Sequence, residues 1–330
     1  MLSKVQMAAY ELIQSDARFV YALTDMLRNA KKIKTNYILM SQPYIGIFVD
    51  GAEQWCKKVG LKAPQFKAKE KEYYSILRGR HKLYELSYQE YKDLLMDKFN
   101  ESEQYFYSIR TFLEKLIGYY NVGVDLCEEE FCGNTILCAL YTPFSFLGNE
   151  NSGIWMKNIS VIAGELAGYF ECYKFPVYQY NSELDLKPKD FHFFNNCPLK
   201  IKNETSFLLF SVLCSINYIT CFIDKFFKDE IPQKFKFAYL QYYYLCDFVK
   251  EINTYNNLVL SINNSLQDRK FRNCISHYGL GQYLKEDDIV ENDLLKGLTL
   301  KAFNMEYYEA KEFIYSELHA LTEKIKEIIF

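Results

Sequence analysis

Phe271-Arg272-Asn273-Cys274-Ile275-Ser276-His277-Tyr278-Gly279 places a permanent cation, a polar amide and a titratable imidazole within six residues. Arginine binds phosphate as a planar fork, and histidine moves protons near neutral pH. Such a pair is a minimal kit for cleaving a phosphodiester without a metal. Asn273 and His277 are four apart, so on a helix they share a face. Arg272 lies well off that face and must curl around a helix end to meet the same group. Gly279 and Gly281 end the short helix.

Outward from this stretch the pattern is helical on both sides. Downstream, an acidic loop over 286–293 leads to a final helix from about 305. Its stripe of Ile314, Leu318, Leu321, Ile325 and Ile328 has the spacing of bundle packing. Upstream, helices are predicted over 205–227 and 233–264, parted by Asp229-Glu230-Ile231-Pro232. The second carries Phe237, Leu240, Tyr244, Phe248, Ile252, Leu258 and Ile262 on one apolar face. Residues 173–203 hold Pro176, Pro188 and Pro198 among Asn, Asp and Lys, and mark a domain boundary.

Earlier, 1–40 read as one or two helices, with Leu12, Ile13, Phe19, Val20, Leu23 and Leu27 at helical spacing. A loop is predicted at Gln42-Pro43, then helices over 46–59, 68–86, 88–120 (two, or one with a kink) and 154–172, with 121–155 less regular. No strand-type alternation of any length and no repeat stands out. The expected fold is all-α: a helical N-terminal region over 1–195 and a helical bundle over 196–330.

Of 330 residues, 49% are apolar, enough for a sizeable core. A net charge of −3 excludes a general polyanion binder, so any nucleic-acid contact must come from a local patch. Lys57, Lys58, Lys62, Lys67, Lys69 and Lys71 form such a patch, although a solvated loop is the simpler reading. Ten cysteines with no CxxC, several inside apolar runs, read as buried reduced thiols of a cytoplasmic protein, not a disulfide framework or zinc site. The start of the chain shows no signal peptide. The uncharged stretch over 205–223 approaches membrane length, but Ser211, Ser215, Asn217 and Thr220 interrupt it, so a buried helix is expected and no membrane partner.

Other groupings are weaker. Arg78-Gly79-Arg80-His81 is the only other close Arg/His cluster and reads as a solvated face or an accessory phosphate contact. His192 among aromatics and His319 on the last helix read as structural. Glu128-Glu129-Glu130 cannot share one helix face. No glycine-rich phosphate loop and no cofactor motif occurs.

The run from Arg272 to His277, with a polar residue directly after the arginine, resembles the Arg-x4-6-His signature of the HEPN superfamily over about residues 200–330. That resemblance implies a helical bundle, often dimeric, with two motifs facing across the interface. It implies a metal-independent endoribonuclease using the ribose 2′-hydroxyl, with Arg272 and His277 catalytic and Asn273 supporting them. RNA (mRNA or tRNA), a second copy of the chain, and an antitoxin, regulatory protein or phage-derived trigger are the partners it implies, in toxin or abortive-infection systems. One branch of the family carries a modified tyrosine two residues after the histidine. Here that place is Gly279, and the tyrosine is the adjacent Tyr278. A catalytically silent member, acting as an RNA- or nucleotide-binding or protein-interaction module, is the alternative.

Overall fold

The computed structural model describes residues 2–33, 37–118, 120–142, 145–148, 152–192, 197–200 and 202–330, without the side chains at 27, 37, 38, 152–156 and 192. The expected boundary at 195/196 and the surroundings of His192 lie outside the described residues. Helices dominate: α1 (Lys4–Asn29), α2 (Gln42–Val59), α3 (Ala68–Gly79), α4 (Tyr88–Ile109), α5 (Thr135–Tyr141), α6 (Ser152–Tyr169), α7 (Glu204–Asn217), α8 (Pro232–Asn256), α9 (Arg269–Ser276), α10 (Leu294–Phe303) and α11 (Tyr307–Ile329). A 3-10 turn, Arg80–Glu85, joins α3 to α4.

Local chemistry starts and stops these helices. Ser3 caps α1 with Gln6 in a reciprocal capping box, and Ser87 does the same for α4 with Glu90. The loop expected at Gln42-Pro43 is instead the first turn of α2, where a proline costs no intrahelical hydrogen bond. The helix expected to reach 264 stops at Asn256, because Asn257 turns left-handed at φ 52°. Beyond α7 the helix widens into a π-turn over Tyr218–Ile223 before Asp224–Phe226. The 23-residue stretch Glu204–Phe226 is long and apolar enough to cross a membrane, yet its most apolar part is wholly buried inside the molecule.

The expectation of no strands is corrected. Strands β1 (Asn121–Cys127), β2 (Glu130–Asn134) and β3 (Leu186–His192) form an antiparallel sheet in the order β2-β1-β3. Val122, Val124 and Leu126 alternate inward along β1, with Asn121, Gly123 and Asp125 on the other face, a short period-two pattern. Glu128 and Glu129, both at positive φ, make the hairpin turn where Asn-Gly is usual. The three acids then diverge: Glu128 pairs with Lys225, Glu129 with Lys187 and Glu130 with Lys326. Strand β3 is an edge, which tolerates Pro188. The sheet packs on the helices through Phe131, whose ring meets Phe191, Phe210 and Phe330 at 5.2–5.4 Å.

One contiguous cluster of buried apolar side chains runs from Ala8 to Ile329. Within it α1 crosses α8 through buried polar contacts. Asp16 accepts from Gln233 Nε2 at 2.7 Å, from Lys236 Nζ at 2.5 Å and from the Tyr278 hydroxyl. Ser15 bonds Tyr178 at 2.7 Å. All ten cysteines are free, and nine of them are buried.

Candidate functional site

Helix α9 is eight residues long and strongly two-faced. Asp268 caps it, accepting from the Phe271 amide at 2.6 Å. Phe271, Arg272, Cys274, Ile275 and Ser276 are buried, while Asn273 is exposed. The chain then reverses sharply: His277 is the C-cap, Tyr278 sits at φ 49° and Gly279 at φ 67°. A left-handed tyrosine is strained, and two buried contacts hold it. Its hydroxyl donates to Asp16, and its ring lies 4.3 Å from the Lys236 ammonium. Gly51 in α2 lets that ring approach: a Cβ there would lie 2.7 Å from Tyr278 Cε2. Tyr278 is therefore a core residue and is closed to modification in this fold.

The three motif residues do not converge in the simple way their spacing suggests. Asn273 and His277 open on one groove of about 970 Å³ between the end of α2 and α9. Arg272 points elsewhere. It is 8% exposed, pairs with Glu85 Oε1 at 3.3 Å, and stands over the rings of Tyr243 and Tyr244 at 5.1 and 5.5 Å. Among the described residues no hydrogen bond joins Arg272 to His277.

The residue that does touch His277 is Arg78, the last but one residue of α3. Its Nη2 lies 2.6 Å from His277 Nδ1 and 3.2 Å from Nε2, and it donates to the Ser276 carbonyl at 3.2 Å. Its Nη1 pairs with Asp50 of α2. The helices α2 and α3 meet closely enough to bring this about because residue 46 is glycine. Burial, then the cations Arg78, Lys82 and Arg272, push His277 down to about 4, against a smaller opposing effect of Asp50. His277 is thus an uncharged imidazole at neutral pH.

His81 has a different task. Its Nδ1 donates to the Arg78 carbonyl, and its Nε2 accepts from Tyr244 at 3.3 Å. Burial above all pushes it down to about 3. Both ring nitrogens are used, so His81 is a structural histidine bracing the end of α3. Of the two readings of the Arg78 to His81 cluster, a solvated face or an accessory phosphate contact, the solvated face does not hold for Arg78, which is 9% exposed. His319 is exposed on α11, near the Tyr315 ring.

The groove is lined by Lys57, Lys58 and Lys270 besides Asn273 and His277, and no carboxylate is among its lining residues. Lys57 and Lys58 occupy the last turn of α2, within the helix expected over 46–59. Tyr283 also lines the groove, 5.8 Å from the Lys270 ammonium. Two polar atoms beside the motif, Arg272 Nε and Ser276 Oγ, are buried without a hydrogen-bond partner. No cluster of His, Cys, Asp and Glu fit to hold a metal occurs among the described residues.

No family model, curated protein or solved structure matches this chain.

Proposed function

We propose that the chain is a metal-independent endoribonuclease of HEPN type. The observation that supports it most is the groove where His277 and Asn273 open beside three lysines and no carboxylate. A groove of about 970 Å³ exceeds what one nucleotide fills and suits a short single-stranded segment. Lys57, Lys58 and Lys270 would hold successive backbone phosphates, and Tyr283 offers a ring for a base to stack on. An uncharged His277 is in the protonation state that accepts a proton. It would take the proton of a ribose 2′-hydroxyl as that oxygen bonds the neighbouring phosphorus. The bond from phosphorus to the 5′-oxygen breaks, a proton returns to that oxygen, and a cyclic phosphate end remains.

One histidine plays one proton role at a time. A two-fold dimer would bring a second His277 and a second Arg272, so a solution mass of twice 39.1 kDa goes with this reading. The place of the activity in a toxin or anti-phage defence system rests on the motif resemblance and is read by growth arrest on expression.

The test is cleavage of a panel of single-stranded RNAs and tRNAs by the purified chain in EDTA. His277→Ala should lose on the order of 10²–10⁴-fold in rate without loss of fold. A wild-type protein inert across the panel sinks the proposal. The second reading, a silent RNA-binding module, is favoured by the engagement of Arg272 with Glu85 and two tyrosine rings. It requires RNA binding that His277→Ala leaves intact and no cleavage by the wild type.

A further inference from the structure

The groove at His277 does not end at the turn after α9. Lys58, Leu280, Gly281 and Gln282 line it on one side and line a second cavity of about 610 Å³ on the other. They form a ridge between two neighbouring hollows. The second hollow is walled by the first turns of α1, by Trp55 of α2 and by residues 284–286. Arg272, Asn273 and His277 do not line it.

The two hollows differ in chemistry. The groove has three lysines and no carboxylate among its lining residues, which suits a phosphate backbone. In the second cavity Val5, Ala9, Trp55 and Leu284 make an apolar wall. Ala9, Trp55 and Leu284 are buried, so the core sets this wall. Two amides edge it. Gln6 Oε1 accepts from the Ser3 amide at 2.9 Å, which fixes the side chain and leaves its Nε2 to donate. Gln282 is exposed on the ridge and offers both a donor and an acceptor. An apolar wall with a few placed polar groups is the make-up of a small-molecule pocket, and a volume of about 610 Å³ lies in the usual range for one. A nucleobase matches it, with two apolar faces and an edge of donors and acceptors.

We infer that the second cavity is a base-recognition pocket for the nucleotide next to the one held at His277. Lys58 on the ridge holds the phosphate between the two nucleotides. The chain of the ligand crosses at Gly281, which carries no side chain to block it. The base beyond lies against the apolar wall, and its edge meets the amides of Gln6 and Gln282. The inference rests on the nucleic-acid reading of the groove and extends it: α1, far from the motif in sequence, sets which base stands beside the cut.

The experiment is equilibrium binding, at low salt, of short 2′-O-methyl oligomers, which cannot be cut by 2′-hydroxyl attack. Each is abasic except for one unit that carries A, C, G or U. A fully abasic oligomer reads the phosphate contacts alone. The four bases should differ, and the preferred one should bind about tenfold tighter than the abasic oligomer. Val5→Trp, which fills the cavity from a half-buried position, should bring every oligomer to the abasic affinity. Gln282→Ala, at an exposed position, should narrow the spread among the bases. Four bases that bind alike, or none that binds tighter than the abasic oligomer, overturn the inference. A folded Val5→Trp that keeps the gain overturns it too, because the base then lies elsewhere, as on Tyr283. If Val5→Trp does not fold, an unchanged spread in Gln282→Ala overturns it alone. These readouts need no cleavage. Base-selective binding by a protein inert on RNA sinks the nuclease reading alone, and RNA cleavage with no base preference at the cut sites sinks the pocket alone.

Discussion

His277 owes its uncharged state first to burial and then to cations, among them Arg78 in α3 and Lys82 in the 3-10 turn, both distant in sequence, with Asp50 in α2 opposing them. This has a thermodynamic consequence. The folded-state midpoints of His277 and His81 fall to about 4 and about 3, below the unfolded histidine value of about 6.5. Between those values the unfolded chain binds more protons than the folded one, so stability falls as pH drops. Asp125 has the opposite sign: burial raises its carboxyl to about 6, so it favours the folded state as pH falls from about 6 towards the carboxylate range. Two histidines outweigh one carboxyl. The melting temperature should therefore decline from about pH 6.5 toward pH 4, and His277→Ala should flatten part of that decline. A melting temperature independent of pH across this window would refute the account. The spacing in the motif could not disclose any of this, because a helix periodicity shows which residues share a face but not what packs against it.

At the scale of elements, the site depends on how closely α2 and α3 approach. A Cβ on Gly46 would stand 2.4 Å from the Arg78 backbone nitrogen and 2.7 Å from the Leu77 carbonyl carbon. Backbone cannot give way as a flexible side chain can, so Gly46→Ala must part the helices. We expect a loss of about 1–3 kcal/mol in urea unfolding, together with loss of the Arg78 contact to His277 in histidine spectra. A fully stable variant with an unchanged His277 signal would show that the approach is dispensable. Helix starts carry local caps at Ser3, Ser87 and Asp268. The sheet was not legible in this way, because the alternation of Val122, Val124 and Leu126 spans only one short strand, its turn is Glu128-Glu129, and β3 contains Pro188. A strand held by long-range pairing carries a weak local signal.

For the molecule as a whole, the buried group of Asp16, Lys236 and Tyr278 ties the first helix to α8 and to the turn after the motif. Lys236 is fully buried with Asp16 as its partner. Removing one member of such a pair leaves a buried charge uncompensated, at a cost of about 3–5 kcal/mol, whereas replacing both with apolar residues is often neutral. Asp16→Ala and Lys236→Met should each destabilise by about that amount. The double change Asp16→Leu with Lys236→Met should recover only part of it, because Gln233 and Tyr278 also lose Asp16 as their acceptor. Denaturant midpoints of the four proteins form a cycle, and additive losses would show that the two residues are not coupled.

The amino-acid sequence determined the helical majority, the last helix with its stripe, the buried thiols and the shared face of Asn273 and His277. These are readable because they follow from local periodicity and capping, which act over one or two turns. Only the tertiary structure decided that Arg272 faces Glu85 and two tyrosine rings, that Arg78 stands at His277, and that Lys57 and Lys58 line the same groove. Those placements come from the packing of α2, α3 and α8 around α9. They depend on contacts between residues up to two hundred positions apart, such as a glycine that lets two helices touch, and no local pattern encodes them.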